Sequence, residues 1–332
     1  MPRILSGVQP TGNTHLGNYV GAFRQWVEQQ HEFDAFYCVV DLHAITLPYD
    51  PAELRDRTLE VAAILLACGL DPEVCTIFVQ SHVPEHTELA WLLNNVATVG
   101  ELRRMTQFKA RAAAGGEGAL PAGYFNYPVL QAADILIYQA DRVPVGEDQR
   151  QHLELARDVA ERFNARYGRT FTVPEPYFPK VGGRVMDLQQ PDAKMSKSIP
   201  SPNGRIDVLD PPEAIRRKVR AAVTDSGREI LARPDKPAIT NLLELYSAAT
   251  GKAVPELEAA YAGRGYGDLK ADLADALVAF LAPVRERYQA LRDDPARLAA
   301  ILERGAAKAQ AIARDNLALA KDRMGLLERG PH

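Results

Sequence analysis

The first hundred residues alternate short β-rich runs with helical patterns, and that order leaves few folds open. Arg3 to Val8 reads as a buried strand, Tyr19 to Gln30 as a helix and Asp34 to Asp41 (DAFYCVVD) as a second strand. Pro51 to Cys68 reads as a helix, Val74 to Gln80 as a third strand and Pro84 to Val99 as another helix. Pro51 stands in a first-turn position, where its missing N–H costs nothing. Strand, helix, strand, helix, strand is the pattern of a parallel sheet wrapped by helices, so the predicted class is α/β with a doubly wound parallel sheet. Ligands of such sheets bind beyond the carboxyl ends of the strands, where strand order reverses.

The middle of the chain is more helical. Glu101 to Ala114 carries a basic face of Arg103, Arg104, Lys109 and Arg111, and a small-residue loop from Gly115 to Gly123 is a candidate mobile segment. Tyr127 to Tyr138 is an apolar helix interrupted by one acid, Asp134. Arg142 to Val145 reads as a short strand, and Gly146 opens a long amphipathic helix to about Tyr167. A proline-rich stretch, Val173 to Pro179, leads to a short strand around Arg184 to Asp187. Asp210-Pro211-Pro212-Glu213 is a helix-start signal, and from there to Arg329 nearly everything has helical periodicity. Two domains are expected: residues 1–208 with a helical insertion around 101–140, and a helical domain over 209–332. The last helix is a candidate to pack back on the first domain.

Composition adds limits. With 332 residues, 46% hydrophobic and 25% charged, the chain is an ordinary soluble globular protein. Its net charge of −4 means that a nucleic-acid partner must be held by local basic patches. Cys38, Cys68 and Cys75 form no CxxC pair and lie in apolar stretches, so they read as buried thiols in a reducing compartment. No signal peptide is visible and the longest apolar run, Val61 to Leu70, is too short to span a bilayer, so the expected compartment is the cytoplasm, with no membrane partner.

Two segments carry phosphate chemistry. Lys194 to Ser198 (KMSKS) places two lysines, two hydroxyls and a methionine in five residues. The ammonium groups suit phosphate charge and the hydroxyls suit phosphate oxygens, in a loop that closes over a polyanion; alone, the string would also serve as a solvated loop. At the N-terminus, strand one ends in Gln9-Pro10-Thr11-Gly12-Asn13, followed by His15-Leu16-Gly17-Asn18. Gly12 and Gly17 allow close backbone approach, His15 and Asn18 add donors, and a helix start attracts phosphate. A tight turn with a capping asparagine accounts for the same residues. Gly146-Glu147-Asp148 by itself reads as acids favoured at a helix start. Asp134 is the most diagnostic residue, because a carboxylate in an apolar helix is expensive unless paired. By itself it could cap backbone or pair with an arginine.

His15-Leu16-Gly17-Asn18 resembles the HIGH signature of class I aminoacyl-tRNA synthetases, and KMSKS is the second signature of that class. Ser6 to Ala22, Tyr127 to Asp134 and Val143 to Gln149 resemble the tryptophanyl-tRNA synthetases, in family order and over essentially the whole chain. The resemblance implies a Rossmann-like domain followed by an all-helical domain that reads the anticodon. It implies activation of L-tryptophan with Mg·ATP, transfer to tRNA(Trp), and a homodimer in which Leu89 to Val99 is either interface or core. By the same resemblance Gln9, Asn18, Lys194 and Lys197 are catalytic. Gln9, Pro10, Thr11, Gly17, Asn18, Gly146, Glu147, Asp148, Val185, Lys194, Met195, Ser196, Lys197 and Ser198 would hold ATP. Asp134 would accept from the indole N–H, Gly7, Val40, His43, Val143 and Val145 would form the slot around the ring, and Tyr127 and Gln149 would hold the ammonium. Gln131 stands where many bacterial members have methionine, and Leu5 where some have an aromatic. Some members carry an iron–sulfur cluster on cysteines of the helical domain; no cysteine follows Cys75, so neither cluster nor zinc is expected, and magnesium would come on the ATP phosphates. Arg216, Arg217, Lys218 and Arg220 form a basic cluster suited to RNA, or equally a solvated face. Alternatives are a tyrosyl-tRNA synthetase, a small nucleotidylyltransferase and a non-catalytic synthetase-like RNA-binding protein.

Overall fold

The structure is a computed structural model and describes residues 1–146, 149–178, 185–196 and 201–327. Strands β1 (Arg3–Val8), β2 (Asp34–Val39), β3 (Thr76–Val79), β4 (Arg142–Pro144) and β5 (Glu175–Tyr177) form one parallel sheet in the order β3-β2-β1-β4-β5. After β1, α1 (Leu16–Asn18) passes through a π-helical turn, Tyr19–Phe23, into α2 (Arg24–Gln29). α3 (Asp41–Ala44) and α4 (Pro51–Ala67) join β2 to β3. Between β3 and β4 lie α5 (Glu85–Leu93), α6 (Val99–Arg104), α7 (Thr106–Gly115) and α8 (Ala122–Leu136). α9 (Arg150–Tyr167) joins β4 to β5, and α10 (Pro212–Ala221), α11 (Pro237–Thr250), α12 (Val254–Ala260), α13 (Tyr266–Arg292) and α14 (Pro295–Arg323) follow. Among the described residues no helix is long and apolar enough to cross a membrane.

The period of two along each strand divides the core between the two faces of the sheet. Ile4, Tyr37, Val39, Ile77 and Val79 pack on one face with α4 and the helices that follow Pro212, whereas Leu5, Phe36, Cys38 and Phe78 pack on the other with α5, α8 and α9. α14 touches both layers: Leu298, Ile301 and Leu302 belong to the first and Ala309, Ala313 and Ala320 to the second. It does so by running along β3, the edge strand. Gly305 lies so close there that a Cβ would meet the Ile77 carbonyl oxygen. A helix over an edge strand removes a row of pairing groups that would otherwise invite association.

Several element boundaries differ from the sequence expectation, each for a physical reason. The helix expected over Pro84 to Val99 stops at Leu93, and a new one starts at Val99 behind a capping box of Thr98 and Glu101. The helix expected over Glu101 to Ala114 breaks at Met105, whose ψ of 128° is extended. The long helix starts at Arg150 rather than Gly146. Val173 to Pro179, expected as a proline-rich connector, contains β5. Pro176 is tolerated because β5 is an edge strand. Around Met186, where a short strand was expected, the described residues form an isolated antiparallel bridge between Met186 and Lys194. Of the apolar run Leu89 to Val99, Leu89, Leu92, Leu93 and Val96 are core, while Trp91 and Val99 face outward.

Candidate active site

The sheet order reverses between β1 and β4, and a cavity of about 800 Å³ opens beyond their carboxyl ends. Gly7 and Gln9 enter it from the end of β1, Val40 and His43 from the end of β2 and α3, Tyr127, Gln131 and Asp134 from α8, Val143 from β4, and Val145 and Gln149 from the β4–α9 connection. Thr11 also lines it. All residues expected to surround an indole ring therefore border one cavity, although they come from segments more than a hundred residues apart. Gly7 belongs there because a Cβ would approach Val40 Cγ1 to 2.9 Å. Leu5 lines the same space.

Asp134 lies at the buried end. Its Oδ2 is 2.7 Å from His43 Nε2, and its Oδ1 is 2.8 Å from Gln80 Nε2 and 2.6 Å from His86 Nδ1. Burial alone would raise its pKa; the hydrogen bonds and charge of His43 and His86 outweigh burial and hold the carboxyl well below the usual range. The group is thus an ionised acceptor. Among the described residues the partners of Asp134 are two histidines and a glutamine rather than an arginine. Tyr127 donates to or accepts from His152 Nε2 at 2.9 Å, and burial pushes its phenol up to about 12. Gln131 donates to Gln149 Oε1 at 3.3 Å, so the polar residue in the methionine position has a partner within the site.

Of the segment that leads from β1 to the HLGN turn, Gln9 and Thr11 line this cavity. The His15–Asn18 turn is pinned from outside by Leu16 N–H to the Ile206 carbonyl at 2.8 Å and Val208 N–H to the Thr14 carbonyl at 2.9 Å. Asn18 Oδ1 accepts His15 N–H at 3.1 Å, which presents the amide N–H₂ end as the donor. The His15 ring is buried; a Cβ on Gly17 would lie 3.0 Å from it. The same Cβ would lie 3.7 Å from Met195 Cβ, so the KMSKS segment packs directly on the HLGN turn. Met195 is buried, its N–H donating to the Val185 carbonyl at 3.0 Å, while Lys194 is exposed and Ser196 half-buried. Pro10 is buried and Gly146 exposed, and neither lines the cavity. Glu147, Asp148, Lys197 and Ser198 lie outside the described residues.

Sequence reasoning missed Gln80, His86 and Tyr138, which support Asp134, and also His152 and Tyr124 in the cavity wall. Only burial in three dimensions distinguishes them from ordinary polar residues. It also overestimated one cluster: Lys218 faces inward to Asp210 and is buried, leaving Arg216, Arg217 and Arg220 exposed on α10. Among the described residues no three His, Cys, Asp or Glu side chains converge as metal ligands.

A family model described as tRNA synthetases class I (W and Y) matches residues 1–282. Tryptophan–tRNA ligase 2 of Streptomyces avermitilis is 58% identical over 328 residues, 98% of this chain and 97% of that protein. The chain belongs to the class I tRNA synthetases, in the tryptophanyl branch. Two solved tryptophanyl-tRNA synthetases share its shape. That of Mycoplasma pneumoniae has a TM-score of 0.89 at 38% identity, covering 98% of both chains. That of Campylobacter jejuni, complexed with ADP and tryptophan, has a TM-score of 0.86 at 35% identity, covering 98% of this chain and 100% of the other. As in other class I synthetases, ATP is the energy source.

Proposed function

We propose that the chain activates L-tryptophan with Mg·ATP and then charges tRNA(Trp). A carboxylate oxygen of tryptophan attacks the α-phosphorus of ATP, the bond to the β-phosphate bridging oxygen breaks, and pyrophosphate leaves. A ribose hydroxyl of the terminal adenosine of the tRNA then attacks the carbonyl of tryptophanyl-adenylate and AMP leaves. The observation that carries this reading is a buried carboxylate, Asp134, held by His43, His86 and Gln80 at the edge of a largely apolar cavity. A site built to satisfy a substrate N–H rejects analogues lacking it by roughly 10⁴–10⁵, because its buried acceptor is otherwise left unpaired.

In this reading Gly7, Val40, His43, Gln131, Val143 and Val145 enclose the indole, and Tyr127 and Gln149 meet the amino-acid end. Gln9, Pro10, Thr11, Gly17 and Asn18 hold the adenosine and α-phosphate side, with Val185, Gly146, Glu147 and Asp148 at the adenine and ribose. Lys194 and Lys197 neutralise the departing pyrophosphate, with Met195 seating the loop and Ser196 and Ser198 adding donors. Such a displacement depends on positioning and charge neutralisation more than on covalent help. Magnesium enters as part of the ATP substrate. The helices after residue 208 read the anticodon, the exposed arginines of α6 and the lysine and arginine of α7 serve the acceptor end, and the compartment is the cytoplasm. The protein works as a homodimer, to which Trp91, 70% exposed, and Val99, 60% exposed, offer apolar surface.

Amino-acid-dependent ATP–pyrophosphate exchange with tryptophan, tyrosine and phenylalanine tests the reading on wild type and Asp134→Ala. The expected result is exchange with tryptophan alone, lost or relaxed in the variant. Exchange with tyrosine would move the protein to the sister branch. No exchange in a folded protein that binds ATP would mark a non-catalytic relative.

A further inference from the structure

The three donors around Asp134 are distributed unequally. Oδ1 accepts from both Gln80 and His86, whereas Oδ2 accepts from His43 alone. An ionised carboxylate oxygen offers about two lone-pair sites. Among the described residues, Oδ1 is therefore filled and Oδ2 keeps one site. The two donors on Oδ1 are themselves held from behind. Gln80 Oε1 accepts Leu42 N–H at 3.1 Å, which turns its amide so that Nε2 faces the carboxylate. His86 Nδ1 must carry a proton, since the ionised carboxylate has none to give. Its Nε2 lies 2.7 Å from the Tyr138 hydroxyl, and that second hydrogen bond holds the ring in place. Gln80, His86 and Tyr138 are each 0% exposed.

We propose that Gln80 and His86 are positioning residues for amino-acid specificity: by saturating Oδ1 they leave one acceptor site, on Oδ2 beside His43, for the substrate's ring N–H. This inference rests on the indole-pocket reading of Asp134. Without the Oδ1 donors the carboxylate has spare sites and freedom to turn. It can then take a water, and an analogue without the N–H no longer strands a rigid, single vacancy. Hydrogen bonds to a buried charge are among the stronger ones, and an unfilled acceptor is costly only while it is held in place.

The test compares kcat/KM in pyrophosphate exchange for tryptophan and for its benzothiophene analogue, in which sulfur replaces the ring N–H, in wild type, Gln80→Met and His86→Phe. Wild type prefers tryptophan, and each variant lowers that preference roughly ten- to a hundredfold with the KM for ATP unchanged. A general folding defect lowers both substrates together and leaves the ratio where it was. Tyr138→Phe, which deletes one hydroxyl from the same relay, takes the place of His86→Phe if that variant does not fold. An unchanged ratio in the variants overturns the inference and leaves the indole pocket standing. No preference for tryptophan in wild type overturns both.

Discussion

Asp134 is ionised in a place where burial alone would neutralise it, and that contrast separates what one residue can say from what its neighbours decide. The acid was conspicuous in the sequence because the helix around it is apolar. Gln80 and His86 were not, because a glutamine at a strand end and a histidine in a helix are unremarkable until both are found without solvent and on the same oxygen. A second carboxylate supports a prediction about pH. Glu101 is held at a pKa of about 2, below its ordinary 4.5, mainly by hydrogen bonds from Arg162, whose Nη2 donates at 2.5 Å, against an opposing effect of burial and with help from Thr98. A depressed carboxylate contributes stability above its unfolded pKa and loses it as pH falls toward the folded one. Glu101→Gln should therefore be less stable than wild type at pH 7. The difference should shrink between pH 4.5 and 2 in urea titrations followed across that window.

At the scale of elements, the segment from Val185 to Met195 is bolted to the helical part of the chain. Asn241 on α11 is buried and grips the backbone of one residue at both its polar groups: its Oδ1 accepts Met186 N–H at 3.0 Å and its Nδ2 donates to the Met186 carbonyl at 3.0 Å. Met186 bridges Lys194, so the clamp bears on the KMSKS segment. Asn241→Ala should slow adenylate formation about tenfold, while tryptophan binding, measured separately by calorimetry, stays within a factor of two or so. α14 makes a second test. Gly305→Val would drive a branched side chain into the Ile77 carbonyl, and a loss of about 3 kcal/mol or more is expected in chemical unfolding. The sequence showed α14 as a helix, but nothing in it singled out Gly305, because the reason for that glycine is the backbone of a strand more than two hundred residues earlier. β5 was hidden for a different reason: its proline, Pro176, argues against a strand unless that strand is known to be at an edge.

For the whole molecule, charge must act locally, since the net value is −4. Arg103 and Arg104 on α6 are exposed, Arg103 making only a surface pair with Glu117 at 3.4 Å. Reversing both charges should raise the KM for tRNA by about tenfold or more and leave tryptophan-dependent pyrophosphate exchange intact; equal losses in both assays would remove these arginines from the RNA surface. The alternating strand and helix periods determined the α/β class, and the short motifs, with their order, determined the chemistry, because both are encoded by residues close together in the chain. The cavity, the turn that seats Met195 on Gly17, the saturation of Asp134 Oδ1 and the passage of α14 along β3 were decided only by the tertiary structure. Each depends on which distant segments meet, and that is set by packing the two faces of one sheet rather than by any local pattern.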